Sequence, residues 1–366
     1  MNDNKCPDDT DLKQQRMRTW QPILDPVWVA AAYVLIGVIF LPLGVTFNAK
    51  SSDVVELKVQ YDGTPEDGIS YQNCSITEPF AGKSCELTFT VDKDMEAPVL
   101  IHYEMGEFYQ NHRKYIQSRD DLQLMGQEQV EFGRTLCKPM DSLTVNGTKQ
   151  TLNPCGFVAN TFFNDVFELK SPTFQMQEKG IAWKTDVDER FKQPEGFRSE
   201  ACSSCDDVAC SCDGDDWSCA EPWQDKNGTC FLYFYPNDNE TWYLHETYSQ
   251  IISPIEGVTN EHFIVWMRSA ALPTFRKLYG YIEKNIPAGT ILTFDLSANF
   301  EVKSFKGQKK LILSTTQWLG GKNDWVGKFF VIVGSICLAL GVLFGAKHYF
   351  QPRRLGDPKY LKVKDE

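Results

Sequence analysis

The hydrophobic and polar positions divide the chain into three parts. Two long runs carry no charge: PVWVAAAYVLIGVIFLPLGVTF at residues 26–47 and FFVIVGSICLALGVLFGA at residues 329–346, the second preceded by Trp325 and Val326. Each reaches the roughly 18 to 20 residues that a helix needs to cross about 30 Å of hydrocarbon. The first run is too long for the apolar region of a signal peptide, and Phe47-Asn48-Ala49 is a poor cleavage site. It is expected to remain as an uncleaved anchor. Between the runs the pattern changes to period two. VVELKVQY, CELTFTV and TILTFDLSANFEV alternate, and KKLILST reads as a strand leading into the second run. Turn-forming stretches such as YDGTPEDG and NDNE separate these pieces. The pattern predicts a membrane protein in which two transmembrane α-helices flank a large, mainly antiparallel β ectodomain, sandwich-like and disulfide-bonded, with short helices. The expected limits are a cytosolic tail at 1–25, a first span at 26–47, the ectodomain at 48–324, a second span at 325–346 and a cytosolic tail at 347–366.

Cysteines and sequons give the sidedness. Residues 48–324 hold ten of the twelve cysteines and every Asn-x-Ser/Thr sequon, at Asn73, Asn146, Asn227 and Asn239. Both features belong to an oxidising, extracytosolic compartment. Both termini are then cytosolic. Arg353, Arg354, Lys359, Lys362 and Lys364 in the last segment follow the positive-inside bias, whereas the N-terminal flank mixes cations with aspartates.

Cys74 and Cys85, and likewise Cys137 and Cys155, are sequence neighbours spaced to close short loops. Cys202, Cys205, Cys210, Cys212, Cys219 and Cys230 form a dense cluster. Cys-x-x-Cys pairs can ligate zinc. An oxidising compartment with no histidine nearby favours disulfides instead, and six cysteines allow fifteen pairings among which sequence does not choose. Asp213, Asp215 and Asp216 lack the regular spacing of a calcium loop and read as a solvated face. No metal and no cofactor are expected. A net charge of −12 argues against nucleic acid as a partner.

Small residues recur seven apart in both spans: Ala30, Gly37 and Gly44 in the first, and Gly327, Gly334 and Gly341, followed by Gly345, in the second. Seven residues is about two helical turns, so each set lines one stripe. Such stripes allow close backbone approach in lipid, either between the two spans or with another protein. Pro42 predicts a kink or local unwinding. Neither apolar run, at 26–47 or 329–346, holds a charged residue of the kind that marks an ion pathway.

Catalytic signatures are missing. AGKS at 81–84 lacks the glycine that a Walker A loop requires, and no Asp-Lys-Thr-Gly phosphorylation loop exists. His245-Glu246 lacks the second histidine of a zincin, and no Gly-x-Ser-x-Gly elbow is present. The five histidines read as surface or packed residues. A non-enzyme is expected.

Six stretches occur in a recognisable order: QQRMRTWQPILDP, NHRKYIQSRD, PCGFVANTFFNDVF, GIAWKTDVDERF, NEHFIVWMRSAALPTFRKLYG and LSTTQWLGGKN. Together they resemble the accessory (β) subunits of type IV P-type ATPases, the phospholipid flippases, also called the ligand-effect-modulator family. The resemblance implies a heterodimer with the ATPase catalytic subunit, help in its folding and exit from the endoplasmic reticulum, and support of aminophospholipid translocation to the cytosolic leaflet. It implies contact with membrane phospholipids and residence in the endoplasmic reticulum, Golgi or endosomes, and plasma membrane. It also implies that Cys74–Cys85 and Cys137–Cys155 are short-range bridges and that Asn146 is glycosylated. The Cys202 to Cys230 cluster is not part of the family pattern. Candidate partner-facing residues are Trp20 at the cytosolic membrane surface, Gly37, Gly44, Gly334, Gly341 and Gly345 in the spans, and Trp266, Arg268 and Arg276 in the ectodomain, with Lys277 beside them. Phe263, Trp266 and Met267 are expected to pack inside. The alternative is a two-pass ligand-gated channel or receptor with a cysteine-rich ectodomain. A pore helix calls for polar lining, and the second span offers only Ser335 and Cys337.

Overall fold

The computed structural model describes residues 9–17, 25–78, 82–127, 135–145, 147–202, 221–226, 228–237, 239–318 and 320–352. Three helices dominate the packing: α1 (Pro26–Asp53), α2 (Glu261–Met267) and α3 (Asp324–Phe350). The chain divides into two compact units, one holding α1 and α3 and the other running from Val54 to Lys322.

In the first unit α1 and α3 are each long and apolar enough to cross a membrane. They pack antiparallel along the small-residue stripes. A methyl group on Gly37 would lie 2.5 Å from Leu338 Cγ and 2.9 Å from the Gly334 carbonyl oxygen, and one on Gly44 would lie 2.7 Å from the Val331 amide nitrogen. Further along, Gly341 faces Val34 and Ala30, and Gly327 faces Asn48. Phe330 fills the remaining space between Phe40 and Phe47, at ring distances of 5.0 and 5.4 Å. Asn323 caps α3 by accepting from the Trp325 and Val326 amides, and Ser51 accepts from the Asn323 amide while donating to Asp324. Pro42 does not unwind the helix. α1 is helical across it, and Thr46 Oγ1 donates to the Pro42 carbonyl at 2.8 Å.

The second unit is built on two sheets with a shared core. The larger has the order β12 (Phe275–Ile282), β4 (Val99–Gly106), β14 (Gln308–Ser314), β1 (Glu56–Asp62), β2 (Ser70–Tyr71). The smaller has β3 (Lys83–Thr90), β13 (Ile291–Ala298) and β7 (Val166–Lys170), all antiparallel. Alternation sends Leu87 and Phe89 of β3, and Leu292, Phe294 and Leu296 of β13, into the core. They meet Ile101, Tyr103 and Tyr61 of the larger sheet, and Phe167 of β7 lies edge-on to both Tyr61 and Tyr279. β13 stops at Ala298 because the next two amides, of Asn299 and Phe300, both donate to Asp165 Oδ1 and leave the ladder.

Two small three-stranded sheets complete the unit. One joins β8 (Arg198–Cys202), β10 (Cys230–Phe234) and β9 (Glu221–Gln224), and the other joins β11 (Thr241–Tyr243), β6 (Thr148–Asn153) and β5 (Ser142–Val145). Bridges link Cys74 to Cys85 and Cys137 to Cys155. Cys202 and Cys230 stand in register across β8 and β10, and each takes part in a disulfide whose partner lies outside the described residues. Cys205, Cys210, Cys212 and Cys219 lie outside the described residues.

Candidate interaction site

Four of the six family-like stretches converge around Trp266. α2 starts where Asn260 Oδ1 accepts from the His262 and Phe263 amides. Its first-turn residue Glu261 holds a different stretch in place. That carboxylate accepts from the amides of Gly180, Ile181 and Ala182 at 2.9, 2.8 and 3.0 Å. Seven residues of helix carry Phe263, Ile264, Trp266 and Met267 into the core. The Trp266 indole donates to the Val158 carbonyl at 2.7 Å and touches the rings of Phe108, Phe162, Phe275 and Phe300. Ser118 closes the ring of contacts by accepting from the Phe157 amide. Gly156 sits there with φ of 97°, and a Cβ would come within 2.1 Å of the Ser118 carbonyl oxygen.

The cations of this region are committed internally. Lys277 donates to the carbonyls of Val265, Trp266 and Arg268 and so caps the end of α2. Burial, with the Arg268 charge adding to it, pulls its pKa down to about 7. Arg276 lies in a cross-strand row of charges, 2.7 Å from Glu104 and 2.8 Å from Glu56, and Lys310 reaches Glu104 from the other side at 3.1 Å. Burial works against the Glu104 carboxylate, but hydrogen bonds from Arg276 and then Lys310 outweigh it and hold the pKa below the ordinary value. Arg276 and Lys277 thus both have their charges matched by groups of the fold itself. Trp266 is fully buried and supports the surface from beneath.

Arg268 differs. Its guanidinium lies over the Trp183 ring, 4.7 Å from the centroid, and its Nε pairs with the buried carboxylate of Asp186. Arg268 and Asp186, together with Arg119, Arg190, Asp121 and Glu189, line a groove of about 1000 Å³. Arg119 Nε pairs with Asp121 at 3.0 Å, and its Nη1 donates to the Met267 carbonyl at 3.4 Å. The sequence put forward Arg268 but not Trp183 or Asp186. The spacing in GIAWKTDVDERF held the signal, because the turn at Asp186–Arg190 folds the Asp186 amide back onto the Trp183 carbonyl.

The glycine candidates divide as well. Gly37, Gly44, Gly334 and Gly341 are used between α1 and α3, whereas nothing lies within 4 Å of a Cβ placed on Gly345. Asn73 is exposed, with Oδ1 accepting from the Ser75 amide, and Asn239 is exposed next to β11. Trp20, Asn146 and Asn227 lie outside the described residues. Among the described residues no cluster of His, Cys, Asp or Glu has the arrangement of a metal site.

The model of the LEM3 (ligand-effect modulator 3) family / CDC50 family matches residues 47–354. ALA-interacting subunit 3 of Arabidopsis thaliana is 36% identical over 98% of this chain and 90% of its own length. Cell cycle control protein 50A of Mus musculus is 35% identical over 92% and 87%. Phospholipid-transporting ATPase accessory subunit CRF1 of Saccharomyces cerevisiae is 29% identical over 99% and 90%.

Proposed function

Because the chain belongs to the LEM3/CDC50 family, we propose that it is the non-catalytic accessory subunit of a phospholipid-transporting P-type ATPase and pairs with that enzyme's catalytic chain. The observation that carries this is similarity along nearly the whole chain to a yeast protein named for that role and to plant subunits named for interacting with ALA. The architecture fits it: a two-pass membrane protein with a closely packed helix pair and a disulfide-bonded β domain.

The β domain lies on the extracytosolic side, with both termini in the cytosol and spans at 26–47 and 325–346. Cysteine bridges and four sequons confined to that domain support this sidedness. Glycans are carried at Asn73, Asn146, Asn227 and Asn239. The subunit assists folding and exit of its partner from the endoplasmic reticulum, and it travels with it through Golgi and endosomes to the plasma membrane. It supports movement of aminophospholipids to the cytosolic leaflet by binding some states of the pump more tightly than others, since only differential affinity shifts an equilibrium.

Affinity purification of the full chain from native membranes, followed by mass spectrometry, tests the reading. A large P-type ATPase in near-equal amount is expected, and deletion of the chain should reduce uptake of labelled phosphatidylserine. Recovery of the chain alone, with lipid uptake unchanged on deletion, would refute the proposal.

A further inference from the structure

We infer that Arg268, held between Trp183 and Asp186, is a docking point for an acidic side chain on an extracytosolic loop of the catalytic subunit. The inference rests on the accessory-subunit function proposed for the chain.

Arg268 is fixed on every side but one. Its ring-facing surface lies on Trp183 and its Nε pairs with Asp186, whose side chain is 3% exposed. Its own carbonyl receives the Lys277 ammonium, which pins the backbone at the end of α2. The two terminal nitrogens donate to none of the described residues, and the side chain is 47% exposed. A guanidinium presents its donors as a planar fork that matches a carboxylate. Here the fork is oriented before any ligand arrives, which removes the ordering cost that weakens most surface ion pairs.

The surroundings favour a protein loop. Trp183 is 66% exposed and Leu272, four residues past Arg268, is 67% exposed. An exposed tryptophan with an arginine stacked on its ring has the composition of an interface hot spot. Both lie in stretches by which the chain resembles its family, and neither exposure is explained by packing of the fold. An anionic lipid surface is the other source of an acidic group. The groove speaks against it, because Arg119, Arg190 and Arg268 are matched there by Asp121, Asp186 and Glu189. A mixed lining suits a peptide that brings one carboxylate, whereas a sheet of phosphates would face three acids.

The test uses the full chain in its membrane complex. R268A, R268K and W183A are expected to lower the amount of catalytic subunit recovered about tenfold, the factor that about 1.4 kcal/mol represents. Resistance to limited proteolysis should match the wild type. R268K should fail like R268A, because it keeps the charge and loses the fork. A photoreactive benzophenone amino acid in place of Trp183 should form an adduct with a loop of the catalytic subunit that contains Asp or Glu. Unchanged recovery in all three variants overturns the inference and leaves the accessory-subunit reading intact. So does an adduct with lipid alone. If the arginine variants misfold, the adduct at position 183 in an otherwise native chain decides. If the wild type recovers no catalytic subunit, the accessory-subunit reading falls and the inference falls with it.

Discussion

Lys309 Nζ lies 2.8 Å from Asp165 Oδ2, and neither side chain has any exposure to solvent. Asp62 stands 3.3 Å from the same ammonium, Tyr61 donates its hydroxyl to Asp165, and the Phe300 carbonyl accepts from Lys309. One buried group thus ties β1, β14, the start of β7 and the turn after β13. Burial, followed by the charge of Asp165, pushes the Tyr61 hydroxyl pKa well up, so it stays a donor.

Breaking this pair leaves an uncompensated buried charge. K309M and D165L should each destabilise the β domain by about 3–5 kcal/mol, and the double change should cost less than their sum. Thermal unfolding of the full chain in detergent, with and without both changes, checks the coupling. Additive losses would mean that the two residues do not act as a pair.

Half of this group was readable in the sequence. KKLILST reads as a strand, and so it is, but nothing in it marks Lys309 at its head as buried. Its partner is 144 residues earlier in the chain, and no local pattern connects them. The same limit explains Arg276 and Lys277, which look available in FRKLYG and are occupied by strand neighbours and by the end of α2. What period and spacing do reveal came through well: the two apolar helices, the strands of alternating character and the buried aromatic face of α2. Of the two outcomes expected at Pro42, local unwinding does not occur, because a single proline removes one helix hydrogen bond while neighbouring contacts keep the helix continuous.

Stability should depend on pH through two histidines. Burial, with the Arg276 charge adding to it, lowers the His102 pKa from 6.5 to about 4, and burial lowers that of His245 likewise to about 4. His245 stacks on Tyr235 at 4.7 Å, and its buried Nδ1 has no hydrogen-bond partner among the described residues. Between pH 6.5 and 4 the unfolded chain binds more protons than the folded one, so stability falls as the pH is lowered through that window. The loss is on the order of 2–3 kcal/mol for each histidine. Melting temperatures at pH 7 and pH 5 should differ, and H102N with H245N should narrow the gap. An unchanged gap would place the pH dependence elsewhere.

Loss of the Cys74–Cys85 bridge should matter more than its short span implies. Cys74 also donates its amide to the Tyr61 carbonyl at 2.7 Å, so the bridge fastens β3 to β1 beside the buried ion group. C74S with C85S is expected to cost about 2–4 kcal/mol. Partial denaturation in urea should show the variant unfolding at lower denaturant than the wild type.

The glycine contacts predict a position-dependent response in the spans. G37L and G334L should force α1 and α3 apart, at a cost of about 1–3 kcal/mol, while G345L should leave their pairing unchanged. Cysteines replacing Phe40 and Phe330, whose rings are 5.0 Å apart, give a cross-linking readout. Equal cross-linking in G37L and G345L would contradict the assignment.

Gly37, Gly44, Gly327, Gly334 and Gly341 are already taken up between α1 and α3, and Gly345 stands outside that seam. What the helix pair leaves uncovered is a rugged flank of large side chains such as Val38, Ile39, Ile332 and Ile336.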